Sequence, residues 1–97
     1  MQQLTEAQLA EALGRLPEWR MQNGKLHREY RFPDFAHAFG FMAACAPSIE
    51  ARNHHPEWWN AYGRVIVDLT THDAGGVTAK DTGLAELLET MARKLLA

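Results

Sequence analysis

Ninety-seven residues, 46% of them hydrophobic, suit one globular domain over residues 1–97 and argue against both a second domain and disorder. Ten Lys and Arg against twelve Asp and Glu, for a net charge of -2, leave no basic run to neutralise a phosphate backbone, so nucleic acid is not an expected partner. The lone cysteine, Cys45, rules out an intrachain disulfide and sits in the apolar run FGFMAACA, where a small core residue is expected.

The start MQQLTEAQL has neither the basic opening nor the apolar run of a signal peptide, and no segment approaches bilayer-spanning length. A cytoplasmic protein without a membrane partner is expected. A chain this short keeps much of its surface exposed, which favours association between copies.

The first element opens at Thr5, with Gln8 placed to complete a capping box and Leu4 and Leu9 spaced as a hydrophobic staple. Leu9, Ala12, Leu13 and Leu16 recur at helical spacing until Pro17 stops the run. Asn23-Gly24 then joins two strands, Trp19–Gln22 and Lys25–Phe32, because both residues tolerate the positive φ of a type I′ turn. Leu26, Arg28, Tyr30 and Phe32 share one face of the second strand. His27 falls on the other, expected to be solvated.

Asp34 caps a second helix whose apolar stripe is read as Phe35, Phe39, Met42, Ala43, Ala46 and Ile49, with His37 exposed. Pro47 interrupts this helix. A proline there removes a hydrogen bond and clashes with the preceding turn, at about 3 kcal/mol, so a kink near Ala43 or a break is expected. Asn53 suits the left-handed helix end, and Pro56 follows.

A second hairpin, Trp58–Tyr62 and Arg64–Thr71, turns near Gly63; Val65, Val67, Leu69 and Thr71 share a face, and His72 ends the strand. After Ala74-Gly75-Gly76, Asp81 or Thr82 caps a last helix striped by Leu84, Leu87, Leu88, Met91 and Leu95. The order α-β-β-α-β-β-α predicts an α+β fold: a single four-stranded antiparallel sheet with three helices on one face.

Chemistry concentrates in ARNHHPEWWNAY, residues 51–62. Glu50 and His54 share a helical face if the helix continues that far, while the hairpin geometry carries His72 back to the level of His54 and His55. Histidine titrates near neutrality, and a positioned general acid or base contributes roughly 10² to 10⁴ in rate. Trp58 and Trp59, neighbours on a strand, face opposite sides; Trp58 is expected at the rim of the site and Trp59 in the core or an interface. A metal site built from Glu50 and the histidines is the rival, weakened because adjacent side chains splay and no HExxH or Cys cluster is present.

The run EARNHHPEWWNAY (50–62), the pair TH (71–72) and the pair KD (80–81) resemble the signature of the pterin-4a-carbinolamine dehydratases, and FPDFAHAFGFM (32–42) resembles their second helix. The resemblance covers nearly the whole chain. It implies a lyase that dehydrates a 4a-hydroxytetrahydropterin to a quinonoid dihydropterin, recycling the cofactor of aromatic amino acid hydroxylases without metal or redox cofactor. By that resemblance His54 and His72 form the acid–base pair, His55 orients the pterin, Glu50 tunes a histidine, Trp58 walls the ring site, and Asp81 matches the final acid of the motif. It also implies homodimers or homotetramers and, as an alternative, an interaction module that dimerises or coactivates a protein partner. A metal-dependent hydrolase on the same rim is the third possibility.

Overall fold

The local signals for the first helix act as the sequence suggests. In the computed structural model, which describes residues 1–96, α1 spans Glu6–Arg15 behind an N-terminal Thr5 whose hydroxyl accepts from the Gln8 amide while the Gln8 side chain accepts from Thr5. Asn23 and Gly24 both take positive φ, 54° and 76°, and turn β1 (Arg20–Gln22) into β2 (Lys25–Arg31). The second hairpin joins β3 (Glu57–Ala61) to β4 (Arg64–Leu69). Gly63 has no room for a side chain here, since a Cβ would stand 2.5 Å from the Phe32 carbonyl oxygen.

Between the hairpins runs α2 (Phe35–Arg52), and α3 (Ala79–Leu96) closes the chain. The strands form one antiparallel sheet in the order β1-β2-β4-β3, leaving β1 and β3 as edges. The α+β expectation and the element order hold. Leu26, Tyr30, Val65, Val67 and Leu69 pack from the sheet against Phe41, Cys45 and Ile49 of α2 and Leu84, Ala85 and Leu88 of α3. Burial raises the Cys45 thiol to about 11, in keeping with a core cysteine.

Several expectations need correction. The buried stripe of α2 is Ala38, Phe41, Cys45 and Ile49; Phe35 and Phe39, each 55% exposed, face outward. This helix is apolar nearly all round, so periodicity alone cannot choose a face. The sheet chooses, because Tyr30, Phe32 and Trp58 surround Phe41. Pro47 neither breaks nor ends α2, which runs on to Arg52. Ala43 and Pro47 both lie on the exposed side, where water can satisfy the carbonyl that loses its partner.

His27 is buried, not solvated, although it lies on the sheet face away from the helices. Asp68, its cross-strand neighbour, lies 2.8 Å from Nδ1, and Glu29 lies 3.5 Å from Nε2. His37 is exposed as expected and pairs with Asp34 at the start of α2. Leu95, assigned to the buried stripe of α3, is exposed.

The candidate functional site

The three histidines expected at one rim come from two separated parts of the chain. Asn53, in the left-handed conformation with φ 50°, terminates α2 and turns the chain so that His54 and His55 leave the helix end together. His72 comes from the far end of the second hairpin, where Glu57 of β3 pairs with Asp68 of β4. It does not end the strand. β4 stops at Leu69, Thr71 makes a single bridge to Gly76, and His72 opens a 3₁₀ turn, His72–Ala74. The two strand ends still bring all three rings to one cavity of about 370 Å³, lined also by Asn53, Thr70, Thr71, Asp73 and Lys80.

The histidines are held unequally. The His54 side chain is 12% exposed, and its Nε2 lies 2.6 Å from Oδ1 of Asp81, which is fully buried. A carboxylate only accepts hydrogen bonds, so Nε2 donates and Nδ1 is the nitrogen left free for chemistry. The other oxygen, Oδ2, accepts from the Thr71 hydroxyl at 2.8 Å and the Thr78 backbone amide at 2.9 Å. Asp81 therefore stands behind His54 and does not line the cavity.

Nor is Asp81 or Thr82 the cap of α3. Thr78 holds that position: its hydroxyl accepts from the Lys80 amide at 3.2 Å while Asp81 reaches back to the Thr78 amide, a reciprocal box. The sequence TAKD (78–81) carried that signal. Thr71 was also legible, because it continues the buried alternation of Val65, Val67 and Leu69, and a buried hydroxyl needs a partner. Asn53 and Lys80 stood within the motif runs, whereas Thr70 and Asp73 had no such signature.

His55 is half exposed, and its Nε2 lies 3.0 Å from Oε1 of Glu50. Both line a second, more apolar cavity of about 310 Å³ with Ala46, Ile49, Pro56 and Trp58. His55 belongs to both cavities, so the two adjoin. Trp58 is half-buried with its ring edge-on to Phe41, whereas Trp59 faces the opposite side of the sheet beneath the Arg64 guanidinium. His72 is the most open of the three, its Nε2 within 3.6 Å of Glu57. Lys25 bonds that carboxylate, and this bond above all, with His72 a lesser contributor, holds Glu57 below the usual carboxylate range. Among the described residues no group of three or more His, Cys, Asp or Glu side chains is gathered closely enough to hold a metal ion.

In this α+β fold the end of α2 and the far end of the second hairpin bring three histidines to one cavity, and one of them, His54, rests on a buried carboxylate. The family model described as pterin 4 alpha carbinolamine dehydratase matches residues 2–91, and the chain belongs to that family of enzymes. A Solibacter usitatus protein provisionally named a pterin-4-alpha-carbinolamine dehydratase is 58% identical over 92% of this chain and 94% of its own length. An Opitutus terrae protein of the same provisional name is 51% identical over 89% of this chain and 90% of its own. A crystal structure from Brucella melitensis, described as a transcriptional coactivator/pterin dehydratase, superposes with a TM-score of 0.88 at 44% identity, over 93% of this chain and 98% of that one. No helix among the described residues is long and apolar enough to cross a membrane.

Proposed function

We propose that the protein dehydrates a 4a-hydroxytetrahydropterin, with His54 and His72 as the acid–base pair. The hydroxyl on C4a leaves as water after accepting a proton, N5 gives up its proton, and a C4a–N5 double bond forms in the quinonoid dihydropterin. The reaction needs a proton donor, a proton acceptor and a slot for a flat heterocycle. The observation that carries the reading is the seating of His54: a nearly buried ring with one nitrogen fixed on a buried carboxylate and the other left for substrate. Either half of its catalytic cycle passes through an imidazolium, which Asp81 stabilises.

In this reading His72, open to solvent, exchanges protons with water, and Glu57 steadies it. His55, held by Glu50, orients the heterocycle, and Trp58 walls the adjoining apolar cavity. Asp81 contributes to binding only through His54. The substrate would come from an aromatic amino acid hydroxylase, which leaves such a carbinolamine, in the cytoplasm, and no metal or redox cofactor enters the balance.

The test is decay of freshly generated 4a-hydroxytetrahydropterin in the presence of a chelator. The purified protein should accelerate it, and His54→Ala and His72→Ala should each lose about 10²-fold or more with an unchanged circular dichroism spectrum. A wild-type rate equal to the spontaneous one would refute the reading.

The Brucella protein's description favours a second reading, an interaction module, and the outward Phe35 and Phe39 are apolar surface of the kind that association covers. Homodimers or homotetramers assembled through sheet edges are proposed for the dehydratase as well, and a monomer by light scattering at micromolar concentration would count against that assembly.

A further inference from the structure

Asp81 is the only one of the site's acids withdrawn wholly from water among the described residues, and its hydrogen bonds form a directed chain. The Lys80 amide donates to the Thr78 hydroxyl at 3.2 Å, so the Thr78 hydrogen is free to point elsewhere. The Thr78 and Thr71 hydroxyl oxygens lie 2.8 Å apart, and the Thr71 hydrogen is already given to Asp81 Oδ2 at 2.8 Å. Thr78 must then donate to Thr71. Each hydroxyl in the chain both accepts and donates, which polarises the next and strengthens the last bond, the one on Asp81. Thr71 and Thr78 are themselves buried, so water does not compete for these bonds.

We propose that Thr71 is a positioning residue that sets how tightly Asp81 holds the proton on His54. The inference rests on the proposed role of His54, but the hydrogen-bond chain exists whatever the protein's reaction. A donor bonded to a carboxylate stabilises its charge and makes it a weaker acceptor for anything else. Removing the Thr71 hydroxyl makes Asp81 a more basic partner, so the His54 imidazolium is held more strongly. The charged and titratable groups around this pair are His55 from the same loop, His72 and Asp73 from the 3₁₀ turn, and Lys80 of α3. Arg52 of α2 lies against Gly83, one turn further along α3. None of them changes in a Thr71 variant.

The experiment is an NMR titration of the His54 ring in the ligand-free full chain. Thr71→Val should raise the His54 midpoint by roughly half a unit to one unit. Thr71→Ser, which keeps the hydroxyl, should restore the wild-type midpoint. If Val disturbs the fold by circular dichroism, Thr71→Ala, smaller than threonine, carries the same test. An unmoved midpoint in the folded hydroxyl-free variant, or a serine variant that titrates like it, overturns the proposal. In the dehydration assay the limb of the pH–rate profile that reports His54 should shift with the midpoint. A shifted midpoint in a protein whose wild type does not dehydrate the carbinolamine would overturn the function and leave the role of Thr71 standing.

Discussion

Two carboxylates on α3, Asp81 and Glu89, are both buried, yet their surroundings assign them opposite work. Glu89 collects its partners on Oε1: the Trp19 indole at 2.9 Å, the Arg28 guanidinium at 2.7 Å and the Tyr30 hydroxyl at 2.9 Å. Burial pushes this carboxyl up, but the bonds from Arg28, Tyr30 and Trp19 outweigh it and leave the group below its ordinary value. Burial first, and Glu89 second, push the Tyr30 hydroxyl far upward, so it stays a neutral donor. Asp81 has neutral donors on one oxygen and a histidine on the other. A guanidinium never gives up its proton at physiological pH, and an imidazole does. The first arrangement clamps the N-terminal hairpin to the last helix. The second holds one nitrogen of His54 and leaves the other without a protein partner among the described residues.

That contrast can be broken experimentally. The largest effect is expected from Glu89→Gln, which leaves Arg28 without its countercharge in a largely buried position and should cost about 3–5 kcal/mol of stability in denaturant unfolding. Catalytic rate per folded molecule should not change. A loss of rate without loss of stability would mean that Glu89 belongs to the site after all. Asp81→Asn should do the reverse in emphasis. Turnover should fall by about 10²-fold, equivalent to about 2.7 kcal/mol, because the amide cannot stabilise an imidazolium. If that variant keeps wild-type turnover, the link between Asp81 and His54 is only structural.

Acid unfolding sharpens the comparison at smaller scale. The Glu89 carboxyl is depressed in the folded state, so its stabilising contribution is complete above the ordinary glutamate value of about 4.3 and is lost as pH falls through the lower folded value. Glu89→Gln should lack that portion of the acid limb, and an unaltered limb would assign acid sensitivity elsewhere. The smallest effect is expected at Glu86, an exposed acid on the same helix that pairs with Arg15 at 3.2 Å. Glu86→Gln should leave both melting midpoint and turnover unchanged within error.

Much of this architecture was legible locally. The Thr5–Gln8 box, the Asn23-Gly24 turn and the alternation of β2 and β4 each follow from a few adjacent residues, and each formed as read. So did the meeting of His54, His55 and His72, since a hairpin of known turn position fixes which residues lie level. The failures share a cause. The buried face of α2 was misread because Phe35, Phe39 and Phe41 offer competing stripes of similar hydrophobicity. His27 was misread because alternation told its face but not that Asp68 and Glu29 would close over it.

The sequence by itself determined the order of the elements, the capped start of α1, the first hairpin turn and the left-handed end of α2 at Asn53, and it marked which histidines could meet, because capping, turn conformation and strand alternation are short-range. Only the tertiary structure decided that Asp81 would stand behind His54 while Glu89 took Arg28, Tyr30 and Trp19. Both choices pair residues distant in the chain. What a buried carboxylate does depends on the donors that packing brings to it, and no local pattern specifies them.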